Sequence, residues 1–473
     1  MPVSRDLLAC FGTYDIRGKS PEIIDENAAF LIGKAFALTM GAGRIVLGHD
    51  ARETSPQLAA AAANGIRHAG SDVIALGLCG TEEVYFATNH TMAAGGICVT
   101  ASHNPKEFNG FKFVSARAQP LTGADPLGSI RANLKAAVPR EGSARGVLSD
   151  GSHLRAAYVE KVLSFLSGTP SKPLKILINP GKGAAGPTFD AIATALRERK
   201  VPWQFIRHNH IPDPAFPGGV PNPLLPENRQ DMTRTIRRVG CDLGVAWDGD
   251  FDRCFFFDHR GAYVSGEYIV SILAAGFCGG VSEKVVYDPR VTGCIENALS
   301  KVLGTGVLSR CGHAFVKDRM LKSGAVYGGE RSGHHYFRDF MGCDSGMIPM
   351  VLIASILEAQ GTRLSDIVAP LRQNFPSSEE VNFTVNNPEN VIRALHDRCE
   401  QSAEHIDFFD GLSMKFASWR FNLRSSRTES CLRLNVESFR NSGLIVEKVS
   451  EISSLIARND IRARSSCLHR AQV

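Results

Sequence analysis

The chain has 473 residues, 44% hydrophobic and 21% charged, with 53 basic against 48 acidic side chains for a net charge of +5. That length is too great for one core and predicts about three or four domains. The near balance of charge, without a concentrated basic stripe, excludes nucleic acid as an expected partner, and the lack of any run of about 18 apolar residues excludes a membrane span. The 12 cysteines show no C-x-x-C spacing, and several lie in apolar runs as buried thiols do. With an N-terminus that lacks a long apolar core, they predict a cytoplasmic protein with neither a disulfide framework nor a zinc site.

Taken in order, the first signal is Gly12-Thr13-Tyr14-Asp15-Ile16-Arg17-Gly18. A sharp turn there leaves Tyr14 and Arg17 free to point at a ligand; the plainer alternative is a solvated arginine in an entry loop. One plan then repeats three times. In the first copy a strand over 44–50 is followed by a helix over 55–70, with Ser55 as cap and Pro56 in the first turn. Strands over 72–78 and 95–99 come next, the latter emptying into Thr100-Ala101-Ser102-His103-Asn104-Pro105. The second copy has a strand over 175–179, a helix over 187–200 and strands over 203–207 and 243–247, ending in Asp248-Gly249-Asp250-Phe251-Asp252-Arg253. The third has a strand over 284–288, a helix over 293–303 and strands over 306–308 and 325–327, ending in Gly328-Gly329-Glu330-Arg331-Ser332-Gly333-His334-His335.

Apolar strands alternating with helices predict α/β layers, and in such sheets ligands gather at strand C-terminal ends, where all three loops fall. From about residue 370 the pattern changes. Strands over 380–385 and 432–437 alternate as if one face were wet, and helices are expected over 388–405 and 444–457. This predicts a small α+β domain with Arg424-Ser425-Ser426-Arg427-Thr428-Glu429 in a loop between strands, then a loose tail over 462–473.

Each loop carries a chemistry. Ser102 is a hydroxyl at a strand end beside His103, with Lys112 ten residues on. It can be a nucleophile, can carry a phosphoryl group neutralised by the lysine, or can simply cap the strand. Asp248, Asp250 and Asp252 crowd three carboxylates after a buried strand, and a hard divalent cation relieves their repulsion. An oxygen-only set points to Mg²⁺ or Mn²⁺ rather than zinc. The EF-hand calcium pattern is not completed, because His259 stands where its glutamate would be. Arg253 could hold a phosphate against the metal. Glu330 and Ser332 suit vicinal sugar hydroxyls, His313 an acid/base or phosphate contact, and Arg290 a substrate contact at a strand end. Arg424, Ser426, Arg427 and Thr428 gather guanidinium and hydroxyl groups into a cradle for a dianion.

Together, and in this order, these loops resemble those of the α-D-phosphohexomutase superfamily, in particular its bacterial phosphomannomutase/phosphoglucomutase branch. The resemblance runs from the Tyr14–Gly18 turn to the loop at 424–429. It implies three similar α/β domains with mixed sheets plus a C-terminal α+β domain around a central cleft, divided as 1–150, 151–257, 258–367 and 368–473. It also implies interconversion of hexose 6-phosphate and hexose 1-phosphate, mannose foremost and glucose besides, through a bisphosphorylated intermediate. By it, Ser102 is the phosphorylated residue and a further ligand of one Mg²⁺ held by Asp248, Asp250 and Asp252. Arg17 and Lys112 assist proton transfer. Glu330 and Ser332 grip the sugar, and Arg424, Ser426, Arg427 and Thr428 hold the phosphate not being transferred. Tyr14, Arg253, Arg290, His313 and His334 line the cleft.

The expected partners are sugar phosphates, with a hexose 1,6-bisphosphate as activator, acting on a monomer or weak dimer of a nucleotide-sugar pathway. The alternatives are a metal-dependent sugar phosphatase, a non-catalytic sugar-phosphate binder and a phosphoglucosamine mutase. The sequence departs from the pattern in four places: Arg331 stands for a common methionine, Arg427 for asparagine, Ser430 for proline, and the stretch Asn179-Pro180-Gly181-Lys182 for Asn-Ala-Gly-Asn.

Overall fold

The computed structural model describes residues 4–121, 123, 125–136, 145–166, 168–425, 431–460 and 464–465. They form two compact units, one of residues 1–264 and 332–364, the other of 265–331 and 365–473.

The first unit opens with strands β1 (Asp15–Lys19), β2 (Arg44–His49), β3 (Asp72–Leu78), β4 (Gly95–Val99), β5 (Phe108–Ser115) and β6 (Leu148–Asp150), in spatial order β1-β5-β4-β2-β3-β6. β2 runs parallel to β3 and β4, whereas β5 is antiparallel to both β4 and β1. Both faces are covered. Ile45, Leu47, Ile97 and Val99 pack with Ile32, Phe36 and Leu58 in one core, and Val46, Cys98, Ile74 and Leu76 pack with Val84 in another. This is why the strands read as continuous apolar runs rather than alternating ones. Ser55 is the first residue of the helix Ser55–His68 and not its cap; its hydroxyl is drawn instead to Asp50 Oδ1 at 2.6 Å.

A second sheet repeats the plan with β7 (Leu174–Asn179), β8 (Trp203–Arg207), β9 (Leu243–Trp247), β10 (Cys254–Asp258) and β11 (Tyr263–Val264), in order β11-β10-β9-β7-β8. Here β7 is parallel to β8 and β9, with β10 antiparallel to β9. In the second unit, β12 (Glu283–Tyr287) lies parallel to β13 (Gly304–Leu308) and β14 (Tyr327–Gly329). Three times, then, the first strand of a copy is flanked by the next two. The last of these, β4, β9 or β14, is followed by a chemical loop. The first unit also holds the hairpin of β15 (His335–Phe337) and β16 (Cys343–Asp344).

The C-terminal sheet comprises β17 (Val381–Thr384), β18 (His405–Asp407), β19 (Leu412–Lys415), β20 (Trp419–Ser425), β21 (Leu432–Ser438) and β22 (Arg464–Ser465), in order β18-β19-β20-β21-β17-β22. Each neighbouring pair in that order is antiparallel. Three expectations are corrected. The helix from Pro388 ends at Cys399, and His405 belongs to a strand. Within the expected tail, Arg464–Ser465 pairs with β17; the rest of it lies outside the described residues. Finally, the polar face of β21 is largely covered: Asn435 and Glu437 are buried and Arg433 is half-buried. No helix among the described residues is long and apolar enough to cross a membrane, and the eleven described cysteines are free thiols.

Candidate active site

In the first unit, Ser102 follows the fully buried β4 with φ of 52°, a left-handed conformation that costs a non-glycine residue about 1–2 kcal/mol. The surroundings impose it. Ser102 N donates to Thr100 Oγ1 at 2.8 Å, and Thr100 Oγ1 donates to Asp50 Oδ2 at 2.7 Å. Arg52 Nη2 donates to the Ser102 carbonyl at 2.8 Å. The serine hydroxyl is thereby turned onto Asp248, donating to Oδ2 at 2.8 Å across 146 residues of sequence.

Asp248, Asp250 and Asp252 are wholly buried, in the turn between β9 and β10. Gly249 permits this approach, because a Cβ there would stand 2.5 Å from the Ser102 carbonyl oxygen. Thr81 anchors the turn, its hydroxyl donating to Asp250 Oδ2 at 2.7 Å. Lys112 Nζ, on β5, reaches Asp250 Oδ2 at 2.6 Å and Asp252 Oδ2 at 2.5 Å. Arg253 donates to Asp248 Oδ2 at 2.6 Å and to Ser102 Oγ at 3.2 Å. Arg17 pairs with Asp15 at 2.8 Å and donates to Asn104 Oδ1 at 2.6 Å, which puts it on the serine loop. Tyr14 is half-buried in the turn before β1. His334 Nε2 stands 3.6 Å from Asp252 Oδ1, and its Nδ1 lies 3.0 Å from Ser332 Oγ.

Every second carboxylate oxygen of the triad is left over. Oδ1 of Asp248, of Asp250 and of Asp252 is buried and accepts no hydrogen bond, and the triad offers ligand atoms within 4.8 Å of one another. Buried carboxylate oxygens do not ordinarily stay unpaired, so the donor set fits a hard, oxygen-loving cation such as Mg²⁺. The electrostatics agree. Burial pushes the Asp248 carboxyl up to about 6, even against the Arg253 guanidinium. Burial also opposes charge on Asp252, but Lys112 and His334 hold its carboxyl well below the usual range. Burial would lower Lys112 too, yet Asp250 and Asp252 raise it well above an ordinary lysine, so it is an ammonium at neutral pH.

His103 has no role legible in its neighbours along the chain, but its Nδ1 accepts from Arg253 Nη2 and lies 3.1 Å from Ser102 Oγ. Burial, then Arg253, Arg17 and Lys112, push its imidazole far below the usual range, so the ring is neutral. Thr81, Asp50 and Arg52 were also missed, since nothing local marks a residue whose partner lies 50 or 169 positions away.

The second unit carries a different cluster. Arg290 is gripped by Asp288 at 2.8 Å and reaches Glu330 Oε1 at 3.4 Å. Glu330 Oε1 also accepts from Gly312 N at 2.9 Å, beside His313 at the start of the helix His313–Ser323. Arg424 lies within β20, not in the loop expected for it, and is buried directly opposite Arg433 of β21. Like charges so paired repel; Glu380 answers them, with oxygens 3.8 Å from Arg424, 3.4 Å from Arg433 and 3.9 Å from Arg290. Burial would raise the Glu380 carboxyl, but these three arginines lower it. Ser426, Arg427 and Thr428, with Ser430, lie outside the described residues. Glu330 and Ser332, expected to act together, belong to different units.

The chain matches the phosphoglucomutase/phosphomannomutase alpha/beta/alpha domain I over residues 9–138, domain II over 156–261 and domain III over 265–375. It belongs to the phosphoglucomutase/phosphomannomutase family. It is 44% identical over 456 residues to a protein of Xanthomonas campestris named for phosphohexose mutases, covering 95% of this chain and 99% of that one. It is equally 44% identical over 452 residues to a phosphomannomutase of Salmonella montevideo, with the same coverage. A crystal structure of a phosphoglucomutase/phosphomannomutase family protein from Burkholderia thailandensis superposes with a TM-score of 0.81 at 25% identity, covering 96% of this chain and 98% of that one. This phosphohexomutase is therefore an isomerase of hexose phosphates, with three α/β domains and a fourth built on an antiparallel sheet.

Proposed function

We propose that the protein interconverts mannose 6-phosphate and mannose 1-phosphate, accepting glucose phosphates as well, through a phosphoserine at Ser102 and a hexose 1,6-bisphosphate. The observation that carries this reading is the hydrogen bond from the Ser102 hydroxyl to Asp248 within reach of Arg253. The mannose preference rests on relatives such as the Salmonella phosphomannomutase. The four-domain division at 150, 257 and 367 and a cytoplasmic location belong to the same reading.

Asp248, Asp250 and Asp252 would hold Mg²⁺ through their unpaired oxygens, with Ser102 as a further ligand; bound there, the ion supplies charge neutralisation to the phosphoryl oxygens. The residues of the chain do the rest. As the bond between Ser102 Oγ and phosphorus breaks, a sugar hydroxyl oxygen forms the new bond and gives up its proton. The proton ends on the departing Ser102 oxygen, which regains its hydroxyl, and Arg17 and Lys112 assist that transfer as cations that steady the oxygen losing it. Arg253 meets the charge on the serine oxygen, and the near-complete burial of Ser102 excludes the water that would hydrolyse it. The bisphosphate then turns, and Ser102 takes the other phosphoryl group. Glu330 and Ser332 hold sugar hydroxyls, His313, His334, Arg290 and Tyr14 line the substrate, and Arg424, Ser426, Arg427 and Thr428 hold the phosphate at rest. A phosphate pocket that accepts either end of the sugar must rely on charge, and a guanidinium does so bidentately.

The test is a coupled assay with mannose 1-phosphate and glucose 1-phosphate side by side, with and without Mg²⁺ and the bisphosphate, followed by mass spectrometry of Ser102. Isomerisation of both sugars with phosphate on Ser102 is expected. Steady release of inorganic phosphate without isomerisation would replace the mutase by a phosphatase.

A further inference from the structure

Arg331 stands between two residues assigned to the sugar, yet its side chain turns away from that task. Its Nη1 donates to Asn435 Oδ1 of β21 at 2.5 Å, its Nη2 to the carbonyl of Ser378, and its Nε lies 3.4 Å from Glu267 Oε2. The guanidinium is almost wholly buried, and its backbone N–H donates to Asp288 Oδ2 at 3.0 Å. All these partners belong to the second unit.

The partners close a ring. Asn435 Nδ2 donates to Glu380 Oε2 at 3.2 Å, and Glu380 is the carboxylate that faces Arg290, Arg424 and Arg433. Arg290 in turn reaches Glu330. Two chains of contact therefore leave neighbouring residues, one from Glu330 through Arg290 and one from Arg331 through Asn435, and both end on Glu380. A planar, always-charged fork suits such a joint, because it fixes direction as well as distance.

We propose that Arg331 is a positioning residue: it ties the loop bearing Glu330 to the strand pair bearing Arg424, and so sets the span between sugar grip and phosphate cradle before substrate arrives. The proposal rests on the mutase reading and says which residue matches that site to a hexose monophosphate. Arg331 touches no substrate; its effect passes through Glu330 and Arg424. Preset geometry of this kind adds to affinity by removing the ordering that binding would otherwise require.

The experiment uses R331M, R331K, N435A and the R331M/N435A pair. For each, kcat and KM are measured with mannose 1-phosphate and glucose 1-phosphate, and binding of mannose 6-phosphate is measured by calorimetry. Methionine should be tolerated in the fold, because Glu267 keeps hydroxyl donors from Ser265 and Ser377, each at 2.5 Å. R331M and N435A should each raise KM for both sugars, and weaken mannose 6-phosphate binding, by about tenfold with kcat changed less than about threefold. The pair should be little worse than either single variant, because both cut one link. R331K, which keeps the charge without the fork, should fall between. Unchanged KM and unchanged binding in R331M and N435A, with only the melting temperature lowered, would overturn the proposal. Should R331M fail to fold, R331K and N435A read the same link. A wild-type chain that binds mannose 6-phosphate but does not isomerise it would sink the mutase reading instead, while the calorimetry still decides the role of Arg331.

Discussion

The two units handle charge in opposite ways. In the first, acid outnumbers what the cations can neutralise: three buried aspartates face Lys112 and Arg253, and each aspartate keeps an oxygen without a hydrogen bond. In the second, Arg290, Arg424 and Arg433 converge on Glu380, and Arg290 is also held by Asp288 and Glu330. The first arrangement fits a cation, and under the proposed mutase reading the second meets an anion. Chemistry at a phosphoryl group needs both, and this protein builds them on different sheets by the same device of polar residues at strand ends.

The contrast can be broken by substitution. S102A should lower turnover by more than about a thousandfold, because it removes the hydroxyl proposed to carry the phosphoryl group. Full activity in that variant would mean that the first unit's cluster is not where transfer occurs. R424A should instead raise KM, by roughly ten- to hundredfold, since it removes a guanidinium proposed to hold the phosphate at rest. A fall in kcat alone would erase the distinction between the units.

Smaller effects sharpen it. G249A places a methyl group against the Ser102 carbonyl at 2.5 Å, and should destabilise the protein by about 1–3 kcal/mol, read as a lower denaturant midpoint. An unchanged midpoint would show that the serine and aspartate loops are not held as close as described. The last effect concerns pH. Glu82 is buried and accepts from Ser345 Oγ and from Gly346 N at 2.9 Å, and burial pushes its carboxyl up to about 8 from 4.5. The folded state thus holds a proton that the unfolded state releases, so stability falls as pH rises from 4.5 to about 8. Urea titrations across that window should show the decline, and E82Q should flatten it. A slope that E82Q leaves untouched would remove Glu82 as its source.

Much of the chemistry was readable because it is local. Six consecutive residues, Asp248 to Arg253, state both the triad and its arginine, and hydrophobic runs on either side announce burial. The threefold strand plan was equally visible, since sheets covered on both faces leave long apolar strands. The C-terminal sheet misled for the opposite reason. Asn435 and Glu437 alternate with Leu434 and Val436, a pattern that normally means a wet face. Here Asn435 lies opposite Asn422, and Glu437 opposite Arg420, so the polar face is buried against other polar groups.

From the residues alone came the strands, the loops that follow them and the kinds of chemistry those loops can perform. These depend on periodicity and on neighbours a few positions apart. The tertiary structure decided which distant groups meet: Ser102 with Asp248, Lys112 with Asp250 and Asp252, and Glu380 with three arginines. A buried charge is tolerable only where its counter-charge arrives, and where it arrives is set by sheet order and register rather than by spacing along the chain.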